Sequence, residues 1–207
     1  EYGNAIAGVF DLRMRAGNNE KHEFMFQFGF NGAELMAEGP LSRKNKSSYL
    51  ISYRYNNLSF FQKIGLNIGT SAVPTYQDIS FKLNFPHKKG VTSIFGVGGV
   101  SNIELLAEVA DSTDLYSIDN SNTYFDTKMG VVGLNHKHRI GKKSYVNFSS
   151  GFQVATNYVT NDTLDENLEN SFRTYFDQST ISKWTNTLFY NKKFSAKNVT
   201  KIGVQAD

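Results

Sequence analysis

Tyr76-Gln-Asp-Ile-Ser-Phe-Lys-Leu-Asn-Phe85, then Pro86-His-Lys-Lys-Gly90, then Val91-Thr-Ser-Ile-Phe-Gly-Val-Gly-Gly99 reads as two strands joined by a tight turn. Ile79, Phe81, Leu83 and Phe85 occupy every second position, and Asp78, Ser80, Lys82 and Asn84 fill the gaps. Successive strand side chains point to opposite faces, so one face is apolar and the other polar. Pro86 cannot donate to a ladder and is expected to close the first strand. A hairpin with one apolar face is therefore the unit from which the rest of the chain is read.

The same plan recurs on both sides. Upstream, Phe10, Leu12 and Met14 alternate with Asp11, Arg13 and Arg15, which predicts a short strand within Asn4 to Arg15. His22 to Glu38 reads as one long strand, with Phe24, Phe26, Phe28 and Phe30 on one side. Its phase slips at Asn31-Gly32, where a β-bulge is expected. Tyr49, Ile51, Tyr53 and Tyr55 share a face within Ser48 to Asn56. Downstream, Tyr124 to His138 is strand-like, and Val146, Phe148, Phe152, Val154 and Tyr158 share a face. Phe172 to Tyr190 and a segment from Val199 complete about eight barrel-type strands. Only Leu105 to Val109 suits a helix, of about one turn.

Four short turns alternate with three long connections, Leu58 to Thr75, Glu104 to Asn122 and Thr160 to Asn170. Arg43, Lys44, Lys46, Lys88, Lys89, Arg139, Lys142, Lys143, Lys192, Lys193 and Lys197 lie in the turns, half of the 22 Lys and Arg. Asp111, Asp114, Asp119, Asp162, Asp165, Glu166 and Glu169 lie in the long connections. One end of the sheet is basic and tight, the other acidic and long.

Composition narrows the class. The 207 residues contain no cysteine, so there is no disulfide framework, thiolate nucleophile or Cys metal site. No run approaches ~18 consecutive apolar residues, so no transmembrane helix is expected. Aromatics reach 14%, which suits strands. A net charge of +3 is too small to suggest a nucleic-acid partner. The start at Glu1 and the strand-like end at Ile202, Val204 and Ala206 lead us to expect a piece of a longer protein.

Two architectures use alternating strands. A β-sandwich has strands of ~5–6 residues and buries its apolar face against a second sheet. Here several strands run to ~10 residues or more, the length that crosses a bilayer at a tilt. Short turns at one end and long loops at the other are the layout of outer-membrane barrels. The residue pattern favours the membrane barrel.

Glu1-Tyr-Gly-Asn-Ala-Ile-Ala-Gly-Val-Phe-Asp-Leu12 resembles the end of the plug domain in TonB-dependent outer-membrane transporters. That family carries Tyr-Gly, small residues, then Gly-Gly-Val-Ile-Asn-Ile; here Ala7 replaces the first glycine of the pair and Asp11 the asparagine. Gly29-Phe-Asn-Gly-Ala-Glu-Leu35 and Glu38-Gly-Pro-Leu41 resemble the first barrel strand of Bacteroidetes-type members, and Tyr76 to Pro86 a later one. The resemblance spans Glu1 to Gly99. It implies that residues 1–19 end a plug and that 20–207 begin a transmembrane barrel in the bacterial outer membrane. It further implies active uptake of an unknown extracellular solute, powered by TonB acting through a plug region outside this chain. A soluble β-sandwich binding or adhesion domain and a passive porin-like channel are the alternatives.

On this reading Phe24, Phe26, Phe28, Ile79, Phe81, Leu83, Phe85, Phe148 and Phe152 face outer-membrane lipid. Arg54, Asn56, Asp78, Lys82 and Asn84 face the lumen. No enzyme, cofactor or nucleic-acid partner is expected. Ser150 and His136 could be strand neighbours, but no Ser-His-acid order accompanies them. His136-Lys-His138 puts two imidazoles on one face, a possible metal pair, but the sequence offers no visible third ligand, so no metal is assigned. Eight strands closed on themselves leave no room for a plug. The expectation is therefore an open antiparallel sheet whose edges, near Glu23 to Glu38 and Val199 to Ala206, do not pair.

Overall fold

The computed structural model describes residues 12–29, 32–57, 73–107, 120–165 and 170–207. They form nine strands: β1 (Glu23–Gly29), β2 (Gly32–Ser42), β3 (Ser47–Asn57), β4 (Val73–His87), β5 (Gly90–Leu105), β6 (Ser121–Gly141), β7 (Ser144–Leu164), β8 (Ser171–Lys193) and β9 (Val199–Ala206). All neighbours are antiparallel, and the order is the order of sequence. β1 and β9 are the two edges and do not pair, so the sheet is open. Among the described residues no helix is long and apolar enough to cross a membrane, which says nothing of strands.

Nine strands replace the expected eight because His22 to Glu38 is a hairpin rather than one bulged strand. Gly29 pairs with Gly32 and Phe28 with Ala33, leaving two residues between, which lie outside the described ones. A two-residue loop shifts the phase of the chain as a bulge does, so Phe24, Phe26 and Phe28 share a face with Ala33, Leu35 and Ala37. Gly32 has φ +99°, a conformation that favours glycine and tight hairpins. This short connection also breaks the alternation of turns with long loops, since it lies at the loop end.

Other boundaries move outward. Pro86 lies inside β4, opposite Val91. The β3–β4 ladder ends at Ser48 and Asn84, so a proline two residues later removes no hydrogen bond from it. Thr160 to Leu164 belongs to β7, and the third connection shrinks to 165–170. Asp162 is therefore a strand residue, paired through its carboxylate with Arg173 Nε at 3.1 Å. Residues 12–15 form no strand, contrary to expectation, and the rest of the expected first strand lies outside the described residues. Leu105 ends β5, Ala107 begins a 3-10 turn, and the rest of the expected one-turn helix lies outside the described residues. Most of the Leu58–Thr75 and Glu104–Asn122 connections also lie outside the described residues.

The sheet is a single layer with almost no core. Leu50 and Leu164 are the only buried apolar residues among those described. The chain exposes 14666 Å², whereas a water-soluble monomer of 23.3 kDa exposes roughly 9,700 Å². Strand length adds to the contrast. β8 has 23 residues, about 75 Å of extended chain, several times the ~17–20 Å usual in globular proteins.

Candidate functional site

Paired residues of an antiparallel ladder share a face, so the register assigns each side chain. One lateral row runs Phe24, Ala37, Ile51, Phe81, Gly96, Val132, Phe152 and Trp184 across eight strands. Phe26, Phe28, Ile79, Leu83, Phe85 and Phe148 occupy the same face. All nine residues expected on the apolar side therefore lie together. Phe24 is 79% exposed, and Phe26, Phe28, Ile79, Phe85, Phe148 and Phe152 are exposed as well; Phe81 and Leu83 are half-buried.

The polar tips on this face find partners. Trp184 Nε1 donates to Ser150 Oγ at 2.9 Å, and Tyr53 Oη donates to Gln77 Oε1 at 2.7 Å. Satisfying such donors within the sheet matters most where no water can do so. Along β4 the apolar band runs from Ile79 to Phe85 and ends at Gln77; along β7 it runs from Val146 to Val154 and ends at Thr156. Nine strand residues tilted at about 45° rise about 20 Å, close to the ~25 Å band of an outer-membrane barrel.

Arg54, Asn56, Asp78, Lys82 and Asn84 lie together on the opposite face. Arg54 grips Asp78 through Nε at 2.9 Å and Nη2 at 2.8 Å, with its guanidinium 5.3 Å from the Tyr76 ring. Asn56, 2% exposed, donates to Tyr76 Oη at 3.1 Å, and its Oδ1 has no partner among the described residues. Asn84 Oδ1 accepts from Ser93 Oγ at 3.0 Å. This polarity belongs to β2–β4. Further along the same rows stand Val97, Met129 and Ile181, all exposed.

Residues 12–18 cross this second face. Lys82 Nζ donates to the Met14 carbonyl at 2.6 Å. Arg15 Nη2 donates to Glu38 Oε1 at 2.6 Å, and the Asn18 amide donates to Glu38 Oε2 at 2.7 Å. Glu38 is 4% exposed; its hydrogen bond to Arg15 raises the guanidinium pKa further above its usual range. At Gly17 an added Cβ would sit 1.9 Å from the Tyr49 carbonyl oxygen, so the segment lies flat on β3. The chain then turns at Asn18, whose Oδ1 accepts from the Glu20 and Lys21 amides, and His22 reaches Tyr49 Oη at 3.0 Å. Glu38 and Arg15 were not singled out from sequence. The available signal was Glu38 at a polar-phase position of an otherwise apolar strand end.

Ser150 and His136 do not pair with each other. Ser150 is engaged by Trp184, and His136 Nδ1 lies 2.8 Å from Thr92 Oγ1. His136 and His138 share the apolar face with a third imidazole, His87. The sequence hid it behind Pro86, although it continues the Phe81, Leu83, Phe85 phase. The site is thus two-sided: an apolar surface that no described residue covers on one face, and on the other a charged track that holds a crossing segment. No protein-family model, no curated protein and no solved structure matches the chain.

Proposed function

We propose that this sheet is part of the wall of a TonB-dependent outer-membrane transporter, with residues 12–22 as the link between plug and barrel. The observation that carries the reading is the pairing of the two faces. An apolar face nine strands wide has nothing among the described residues to cover it, and lipid covers such a face at no cost in unpaired backbone. The opposite face is charged where residues 12–18 cross it, which suits a lumen that holds a plug. The resemblance of Glu1 to Gly99 to the family points the same way. A passive channel has no need of a segment tied across its inner wall. A sandwich needs a second apolar sheet of equal width, which the described residues do not contain.

On this reading an extracellular solute binds above the plug, and TonB, energised by the inner-membrane proton gradient, pulls the plug to open a path. The chain's own residues position that plug: Glu38 and Lys82 hold the crossing segment, and Arg54 and Asp78 keep the adjoining wall polar. The test uses intact cells and a solute panel of siderophores, cobalamin, oligosaccharides and peptides. Uptake of one class falls to background when either this gene or the TonB gene is deleted. Entry through the protein that persists without TonB would sink the reading in favour of a channel. Recovery of the full-length protein in the soluble fraction would favour the sandwich.

A further inference from the structure

We propose that His87, His136 and His138 form a binding site for one divalent transition-metal cation of the zinc class. Three of the four histidines of the chain converge here from two strands. His87 ends β4, and His136 and His138 stand two residues apart on β6. β5 lies between, but its residue at that level is Gly90, paired with His87 on one side and His138 on the other. A Cβ on Gly90 would fall 1.9 Å from the Lys137 carbonyl oxygen. At that level β5 therefore presents no side chain between His87 and His138.

The three rings lie nearly parallel, with centroids 5.5, 5.8 and 5.9 Å apart. One ring nitrogen from each lies within 4.8 Å of the others. A tetrahedral ion with Zn–N near 2.0–2.1 Å needs nitrogens about 3.4 Å apart, which rotations about the side-chain torsions supply. His136 Nδ1 sits 2.8 Å from Thr92 Oγ1. A hydrogen bond at that nitrogen fixes the ring and leaves Nε2 to bind, the outer-shell support that metal-bound histidines commonly have.

Stacked histidines at a strand end also arise from packing alone. What favours a ligand set is the combination of three convergent imidazoles, a glycine between them and an oriented ring. The donors are all imidazole with no carboxylate, which selects zinc, copper, nickel or cobalt over calcium or magnesium. Lys137, between the two β6 histidines, sits on the opposite face with its ammonium 4.2 Å from the centroid of the Tyr145 ring. Three protein ligands leave a fourth position for water. A bound ion would tie β4 to β6 across β5 beside the basic turns. This inference is independent of the transport reading, because it holds whether or not the sheet spans a membrane.

The test titrates Co²⁺ into the full-length folded protein carrying no polyhistidine tag. The expected result is one ion per chain with the intense visible bands of a tetrahedral site, displaced by Zn²⁺. His87→Ala, His136→Ala and His138→Ala each weaken binding at least tenfold, Thr92→Val weakens it less, and His22→Ala leaves it unchanged. Should the alanine variants fail to fold, the wild type is carbethoxylated at histidine with and without Zn²⁺, and the three imidazoles are protected by the metal. No complex, a complex indifferent to His87→Ala, or equal modification with and without Zn²⁺ overturns the proposal.

Discussion

Phe81 lies over Gly96, where an added Cβ would sit 2.4 Å from the ring. The aromatic side chain fills the space that the glycine leaves, on the face we assign to lipid. Phe81→Lys is expected to cost about 2–4 kcal/mol of folding free energy near mid-bilayer, read from reversible folding into vesicles. An unchanged folding midpoint would mean that this face does not meet lipid. Glu38 belongs to a different balance, since its carboxylate is buried and served by Arg15 and Asn18. A double-mutant cycle with Arg15→Ala and Glu38→Gln should give a coupling near 1.5 kcal/mol, at the low end for a charged hydrogen bond because the Arg15 side chain is 56% exposed and screened. Additive effects would show the crossing segment to be loosely held. The facing of Arg54, Asp78 and Lys82 was legible in the sequence because side-chain phase has a period of two. The grip of Arg15 on Glu38 was not, because it joins residues 23 apart through a segment with no periodic structure.

At the scale of elements, the turn and facing of the β4–β5 hairpin were readable, since the eight alternating positions from Asp78 to Phe85 leave little freedom of register, but both strands run further than expected, back to Val73 and on to Leu105. The β1–β2 hairpin was not, because an even loop and a bulge produce the same phase slip. Gly32 at φ +99° is the feature that separates the two in the structure. Loop lengths were overestimated at 160–170 because polar residues such as Asn161, Asp162 and Thr163 can continue a ladder wherever both neighbours supply partners. The four turns β2–β3, β4–β5, β6–β7 and β8–β9 lie at one end and carry nine of the sixteen lysines. In the proposed orientation that end is periplasmic. An epitope inserted near Asp114 should be reached by antibody on intact cells, and one at Lys88 should be reached only after the outer membrane is opened. The opposite pattern would invert the topology.

For the whole molecule, the open nine-stranded sheet matches the expectation that its edges do not meet, and its exposed area of 14666 Å² exceeds that of a water-soluble monomer of its mass. The central claim is that the two faces of one layer meet different media, lipid on one side and a polar interior on the other. The absence of cysteine from these 207 residues simplifies the most direct measurement, because within this stretch every introduced thiol is unique. Single cysteines from Asp78 to Phe85 in the full-length protein, spin-labelled and reconstituted in bilayers, report local collision with dissolved oxygen and with a water-soluble chromium complex. The account predicts strict alternation: labels at 79, 81, 83 and 85 collide with oxygen and avoid the chromium complex, and labels at 78, 80, 82 and 84 do not share that lipid signature. Uniform access of the water-soluble complex along the strand, or alternation in the opposite phase, would contradict it.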